Sequence, residues 1–393
     1  MSLIYNIGLL AGIQPEGVLR VEGELQGRTG LLENAWLRYE DGRIVDFGTG
    51  SVKGDLDAEG GMVMPGFCDS HTHVVYAGSR NGEFLDKING LSYEEIAARG
   101  GGILNSADLL HRTSEEELYS QSLPRVQEMM EKGTVALEIK SGYGLNPADE
   151  IKMLRVIRRI GETVPAAVKS TFLGAHAVGR GYTHEEYVQA VIDMIPQAAE
   201  YADFVDVFCD EGFFTVEDTD RILTAAEHLL TPKIHANELA VSGGVQVGVK
   251  QKALSVDHLE RTTEAEISAL KDTWTMPTML PGSSFFLGLP YGRAREFLKA
   301  GLGVALASDY NPGSSPSGDM RFVMAQGCIK MRLTPVEAFN AVTLNSAYAM
   351  GVSTEYGSIT RGKKAALILT RPGWDLTKIP YQYQTPFIRK VIL

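Results

Sequence analysis

Eight short apolar runs, each ending in polar or ionisable residues and separated mostly by helix-like stretches, constrain this chain's fold more than any other feature. They are MVMPGFCDSHTH (62–73), TVALEIKSGYG (134–144), AVKSTFLGAHAV (167–178), ADFVDVFCDEG (202–212), PKIHANEL (232–239), ALSVDHLE (253–260), WTMPTMLPG (274–282) and VALASDYNPG (304–313). Helical patterns such as NPADEIKMLRVIRRIGE (146–162), HEEYVQAVIDMIPQAAEYA (184–202) and VEDTDRILTAAEHLL (216–230) lie between them. Strands joined by helices run parallel, because a parallel pair needs a long crossover. Eight such units favour a closed (β/α)8 TIM barrel over an open sheet.

The two ends read differently. AWLRYEDGRIVDFG (35–48) alternates apolar and polar residues about Asp41-Gly42, a hairpin signal, since both turn residues need positive φ. YGSITRGKKAALILTRPG (356–373) also reads as short strands joined by Gly turns. The expected organisation is a small β-sandwich domain built from both chain termini, residues 1–58 with 352–393, around a barrel over 59–351.

Bulk properties narrow the partners. The 393 residues carry a net charge of −12, which opposes a phosphate backbone, so no nucleic-acid partner is expected. A small anionic substrate is compatible with that charge, because one Arg can reverse the field inside a cleft. Cys68, Cys209 and Cys328 are far apart, which indicates neither a disulfide framework nor a cysteine metal site. No apolar run approaches the roughly 20 residues of a membrane span. The first residues show no basic segment or cleavage pattern of a signal peptide. A cytoplasmic location without a membrane partner is therefore expected.

In each run the apolar part comes first and the polar residue last. Barrel enzymes build their sites at the C-terminal ends of their strands. The pattern therefore gathers His71, His73, Tyr143, His176, His235, Glu238, His258 and Asp309 at one mouth. His71 and His73, two apart on an extended segment, face the same side and can share a metal. In His235-Ala236-Asn237-Glu238 a ligand stands beside a carboxylate able to move protons to and from an activated water. Asp309 follows GVALAS at the tip of the last strand. Each motif alone admits a plainer reading: surface histidines, a hydrogen-bonded core His, or a turn Asp before Asn-Pro-Gly. Together, His71, His73, His235 and Asp309 form a three-nitrogen, one-oxygen set suited to zinc or iron, with a position left for water or substrate. His111, His184 and His228 lie in polar helical stretches and read as surface residues.

PGFCDSHTH, HANE, the His ending strand six and ASD at strand eight resemble the amidohydrolase superfamily, over essentially the whole chain. Many members hold two metals bridged by a carboxylated Lys on strand four. ADFVDVFCDEG has no Lys there, so the resemblance implies one zinc or one iron per chain; Lys140 lies on strand two. Within the superfamily, GSR (78–80), IKSGYGL (139–145), TFLGAHAVG (171–179), DVFCDEG (206–212), LPGSSFFLG (280–288) and SDYNPGSSP (308–316) are similar to the imidazolonepropionase family. That resemblance implies hydrolysis of the cyclic amide of 4-imidazolone-5-propanoate to N-formimino-L-glutamate, and a homodimer is expected. It places Arg80, Tyr93, Tyr143 and His176 on the substrate, with Glu238, Asn311, Gly313 and Ser314 in the same pocket.

The residues agree with that implication. Arg80 follows His73 in the first strand-to-helix loop and suits a carboxylate. In this reading Glu238 relays a proton to the leaving nitrogen, His258 orients the water or stabilises the oxyanion, and Asp309 is a possible first proton acceptor. Two alternatives stand beside it. A mononuclear deaminase of a nucleobase-like ring would release ammonia and have no use for Arg80, and a non-catalytic scaffold would have shed its ligands.

Overall fold

The computed structural model describes residues 2–91, 95 and 101–393. Eight parallel strands follow one another around a ring: β1 (Phe67–Asp69), β2 (Thr134–Lys140), β3 (Ala167–Ala175), β4 (Phe204–Cys209), β5 (Ile234–Ala236), β6 (Ser255–His258), β7 (Met276–Met279) and β8 (Ala305–Leu306). Each pairs in parallel with the next. The ring closes just past the strand ends, where Asp309 N donates to His71 O at 3.0 Å and His73 N to Tyr310 O at 2.9 Å. Parallel strands covered by helices read as continuous apolar runs, and all seven residues of β2 are buried.

The crossover helices begin where the sequence provides caps. Asn146, Thr183, Thr215 and Thr263 each accept a backbone N–H of the first helical turn. Glu186, Asp218 and Glu266 reach back to complete capping boxes. Such ends fix where each helix leaves its loop, and those loops carry the polar residues of the mouth.

Both termini enter one further sheet of seven strands: Ser2–Ile13, Gly30–Glu40, Arg43–Thr49, Leu56–Asp57, Gly61–Pro65, Leu367–Pro372 and Ile388–Ile392. The Asp41-Gly42 turn has φ of 49° and 72°, as the hairpin reading requires. Ile4, Ile7, Leu10, Leu37, Val63, Leu367 and Leu369 form this sheet's own core. One run divides between the two sheets. MVMPGFCDSHTH reads as a single strand, but Gly61–Pro65 pairs with Leu367–Pro372 and only Phe67–Asp69 joins the barrel. The chain changes sheets at Gly66, where a side chain would collide with Val135, its Cβ standing 2.2 Å from Cγ1.

Candidate active site

The segment after β1, strand β5 and the segment after β8 bring four ligating atoms together. The Nε2 atoms of His71 and His73 are 3.2 Å apart, and His235 Nε2 is 3.4 Å from His73 Nε2. Asp309 Oδ1 lies 3.6 Å from His71 Nε2 and 3.5 Å from His73 Nε2. Four of the distances within this set thus measure 3.2–3.6 Å, close to the spacing of ligand atoms about 2.1 Å from one zinc ion.

The protonation states suit a cation as well. His71 Nδ1 sits 2.7 Å from Asp257 Oδ2, so Nδ1 carries the proton and the Nε2 lone pair faces its neighbours. Burial, reinforced by the Lys140 ammonium, holds His71 well below the ordinary imidazole value, and burial does the same to His73. His235 is pushed down to about 3, burial outweighing the attraction of Asp206. Neutral imidazoles converging beside a buried carboxylate are ligands without a proton to share, and the four residues fit a divalent metal.

The rest of the mouth is arranged around that point. Asp309 sits at φ 54° and its Oδ2 accepts from Ser314 Oγ at 3.2 Å. Burial raises the Asp309 carboxyl to about 6. His258, at φ 84°, places Nδ1 3.4 Å from Glu260 Oε2 and 3.7 Å from Glu238 Oε2. Burial alone would lower its pKa, but Glu238 and Glu260 raise it well above the ordinary value. Burial raises Glu238 to about 7, into the range of a group that both takes and returns a proton. The Glu238 loop is pinned from below: Asp210 Oδ2 accepts Glu238 N at 2.8 Å and Leu239 N at 2.9 Å, and Oδ1 accepts Ala240 N at 3.1 Å.

A cavity of about 950 Å³ opens above these groups. It is lined by Arg80, Tyr143, His176, Asn311, Gly313 and Ser314, together with His73, His235, Glu238, His258 and Asp309. His71 lies fully buried behind them. Tyr93 falls outside the described residues. His176 donates from Nδ1 to Gly142 O at 2.9 Å, which fixes its tautomer, and burial lowers it to about 4. Arg80 is engaged along one edge, with Nε and Nη2 2.9 and 2.6 Å from Glu83 Oε2. The Asn311 amide is spent within its own loop, donating to Asp309 O and Ser314 Oγ and accepting from Gly313 N and Ser314 N. What Asn311 gives the pocket is therefore the shape of that loop. The other histidines, His111, His184 and His228, are all exposed, with His111 Nε2 2.7 Å from Gly144 O.

The sequence reading missed the charged layer beneath the ligands: Glu138, Lys140, Asp206, Lys233 and Asp257, all buried. A signal was present. Each sits inside an otherwise apolar strand, with Glu138 and Lys140 two apart, as are Lys233 and His235, so each pair points to one side. Glu83 was missed too. Nothing in NGEFLDKI marks one glutamate as the partner of an upstream Arg.

Comparison with known proteins shows the family. A model of the amidohydrolase family matches residues 62–391. An imidazolonepropionase of Flavobacterium johnsoniae is 50% identical, with 100% of this chain and 98% of the relative covered. That of Christiangramia forsetii is 49% identical, with 100% and 98% covered. That of Bacillus cytotoxicus is 38% identical, with 99% and 94% covered. Among solved structures, a zinc-bound adenosine deaminase from Xanthomonas campestris has a TM-score of 0.72 at 16% identity, covering 100% of this chain and 91% of that one. Guanine deaminase of E. coli has a TM-score of 0.72 at 14% identity, with 100% and 98% covered. At such identities these structures speak for the fold alone.

Proposed function

We propose residue roles for the hydrolysis carried out by this chain, which belongs to the amidohydrolase family and within it to the imidazolonepropionases. The reaction opens the cyclic amide of 4-imidazolone-5-propanoate and yields N-formimino-L-glutamate, a step of histidine degradation. The chain has a divalent metal site; our reading is one zinc or one iron, held by His71, His73, His235 and Asp309. A metal there supplies the Lewis acidity that makes water a nucleophile near neutral pH, lowering its pKa toward about 7.

The chain's own groups do the remainder. Glu238 takes the proton of the attacking water and returns it to the ring nitrogen as the C–N bond breaks. Its pKa of about 7 suits both halves of that transfer. His258, kept cationic by Glu238 and Glu260, faces the oxygen on which negative charge develops and stabilises it. His176, whose Nδ1–H is spent on Gly142 O, offers Nε2 as an acceptor for a ring N–H. Arg80 holds the propanoate, so binding energy away from the scissile bond aligns the ring. Tyr143 completes that hold, and Gly313 and Ser314 line the same cavity, Gly313 beside Arg80.

The observation that carries the metal reading is the 3.2–3.6 Å spacing of His73 from His71, His235 and Asp309, and of Asp309 from His71. The test is product identity. The purified protein should consume 4-imidazolone-5-propanoate and form N-formimino-L-glutamate with no free ammonia. Release of ammonia from guanine, cytosine or adenosine at a comparable rate, with the imidazolone untouched, would place the chain with the deaminases instead.

A further inference from the structure

Two lysines lie fully buried under the ligand histidines, and the reaction makes no use of either. Lys140 Nζ, from β2, is 2.6 Å from Glu138 Oε1, 2.8 Å from Asp206 Oδ2 and 3.8 Å from Asp257 Oδ2. Lys233, from the start of β5, bonds Glu138 Oε2 and donates to Ser70 O at 2.9 Å and Ala349 O at 3.2 Å. Thr171 Oγ1 donates to Glu138, and Ser255 Oγ donates to Asp257 Oδ1 at 2.5 Å. Two ammonium groups thus face three carboxylates in a layer closed to water.

Two of those carboxylates touch the proposed ligands. Asp257 Oδ2 holds His71 Nδ1 at 2.7 Å. Asp206 approaches His235 twice: Oδ1 accepts its backbone N at 3.0 Å, and Oδ2 stands 2.9 Å from Nδ1. A carboxylate behind a ligand imidazole fixes its tautomer and ring angle, and losing such a partner costs metal affinity. The Lys140 ammonium bonds Asp206 at 2.8 Å, whereas Asp257 stands about equally far from both lysines, 3.8 Å from Lys140 and 3.7 Å from Lys233.

We propose that Lys140 is a positioning residue for the metal: its ammonium pins Asp206, and through it sets the Nε2 atom of His235. Lys233 serves a different purpose. It anchors Glu138, stands 3.7 Å from Asp257 and makes no ion pair with Asp206. The layer carries one net negative charge, and a divalent metal with Asp309 carries one net positive charge, so the two balance across the histidines. This inference rests on the ligand set given above.

The test measures metal affinity in the full-length protein by competition between zinc and a chromophoric chelator. Lys140→Met, similar in size and without charge, should bind zinc about 10–100-fold more weakly and alter the visible bands of the cobalt-loaded protein. Lys233→Met, which removes an equally buried charge, should lower thermal stability but leave affinity near the parental value. If Lys140→Met does not fold, Lys140→Met with Glu138→Gln removes one cation and one anion together, and the same loss of affinity is expected. Parental affinity and cobalt bands in a folded Lys140 variant would overturn the proposal, as would equal losses from the two lysine changes. His235→Ala in the same assay keeps the two readings apart. Retained metal there would overturn the ligand set, whereas loss of metal there with parental affinity in Lys140→Met would overturn only the role of Lys140.

Discussion

Gly313 lies against the guanidinium of Arg80: a Cβ at Gly313 would stand 2.1 Å from Nη1 and 2.5 Å from Cζ. The loop after β8 therefore passes Arg80 only because residue 313 has no side chain. Arg80 belongs to the first strand-to-helix loop, and this contact joins the two loops that flank the cavity.

Gly313→Ala should displace the Arg80 guanidinium and leave the metal ligands in place. A misplacement of about 1 Å away from the chemistry can cost on the order of 10²-fold. We expect kcat/KM for 4-imidazolone-5-propanoate to fall by up to that amount, chiefly through KM. Metal content should be parental. Steady-state kinetics with elemental analysis of the same preparation checks both, and unchanged kinetics would mean that Arg80 moves aside at no cost to binding.

Metal analysis of the purified chain should find about one zinc or iron, because three imidazoles and one carboxylate converging on one point make one site. No second set appears beyond the cluster that also takes in His258, among the described residues. His235→Ala should lose metal and activity together while circular dichroism stays parental. Two tightly held metals at full occupancy would refute a mononuclear site.

Glu238→Gln keeps the shape of the side chain and removes proton transfer. We expect kcat to fall by on the order of 10²–10⁴ with metal retained. The pH profile adds a signed test. Burial raises this carboxyl to about 7, so it is protonated below that value and becomes a base as pH rises through it. The parental kcat/KM should therefore fall on the acid side near pH 7. The residual rate of Glu238→Gln should have a shallower limb, because only the ionisation of the activated water then remains near that pH. A parental turnover number in Glu238→Gln would assign the proton to Asp309 or His258.

Much of this architecture was legible because each barrel strand states its direction. Apolar residues come first and the reactive residue last, as in KIHANE and VALASD, so the mouth could be assembled without coordinates. The charged layer was not legible, because burial reverses the usual meaning of a charge. Lys140 and Glu138 read as polar residues near a strand end, yet their pairing partners Asp206, Lys233 and Asp257 come from strands far along the chain. The change of sheet at Gly66 was hidden for a related reason. Before it, Met62 and Met64 already pack with Phe67 in the barrel core while Val63 between them packs in the core of the terminal sheet, and hydrophobicity alone does not say which.

The last prediction separates carboxylate recognition from loop support at Arg80. Its Nε and Nη2 already contact Glu83 Oε2, while Glu83 Oε1 accepts from Gly102 N at 3.1 Å and Asn105 Nδ2 at 3.2 Å. The guanidinium is thus pre-set along one edge, and its Nη1 side, which lies against Gly313, borders the cavity. Lys has a single ammonium and cannot keep Glu83 and meet a propanoate with the same planar geometry. Arg80→Lys should weaken kcat/KM for the tailed substrate by at least the roughly 1.5–3 kcal/mol of one charged hydrogen bond, and by more if alignment of the ring also suffers. An imidazolone without the propanoate should be a poor substrate of the parental enzyme and nearly indifferent to the change, since it offers nothing for Arg80 to hold. The measurement is a two-by-two comparison of parental and Arg80→Lys protein on tailed and tailless substrates. A loss confined to the tailed substrate assigns Arg80 to the carboxylate. Equal losses on both would mean that the Arg80–Glu83 pair serves only to hold the first loop, and the propanoate would then have to be sought against another cation of the cavity wall, of which Lys87 is the nearest in sequence.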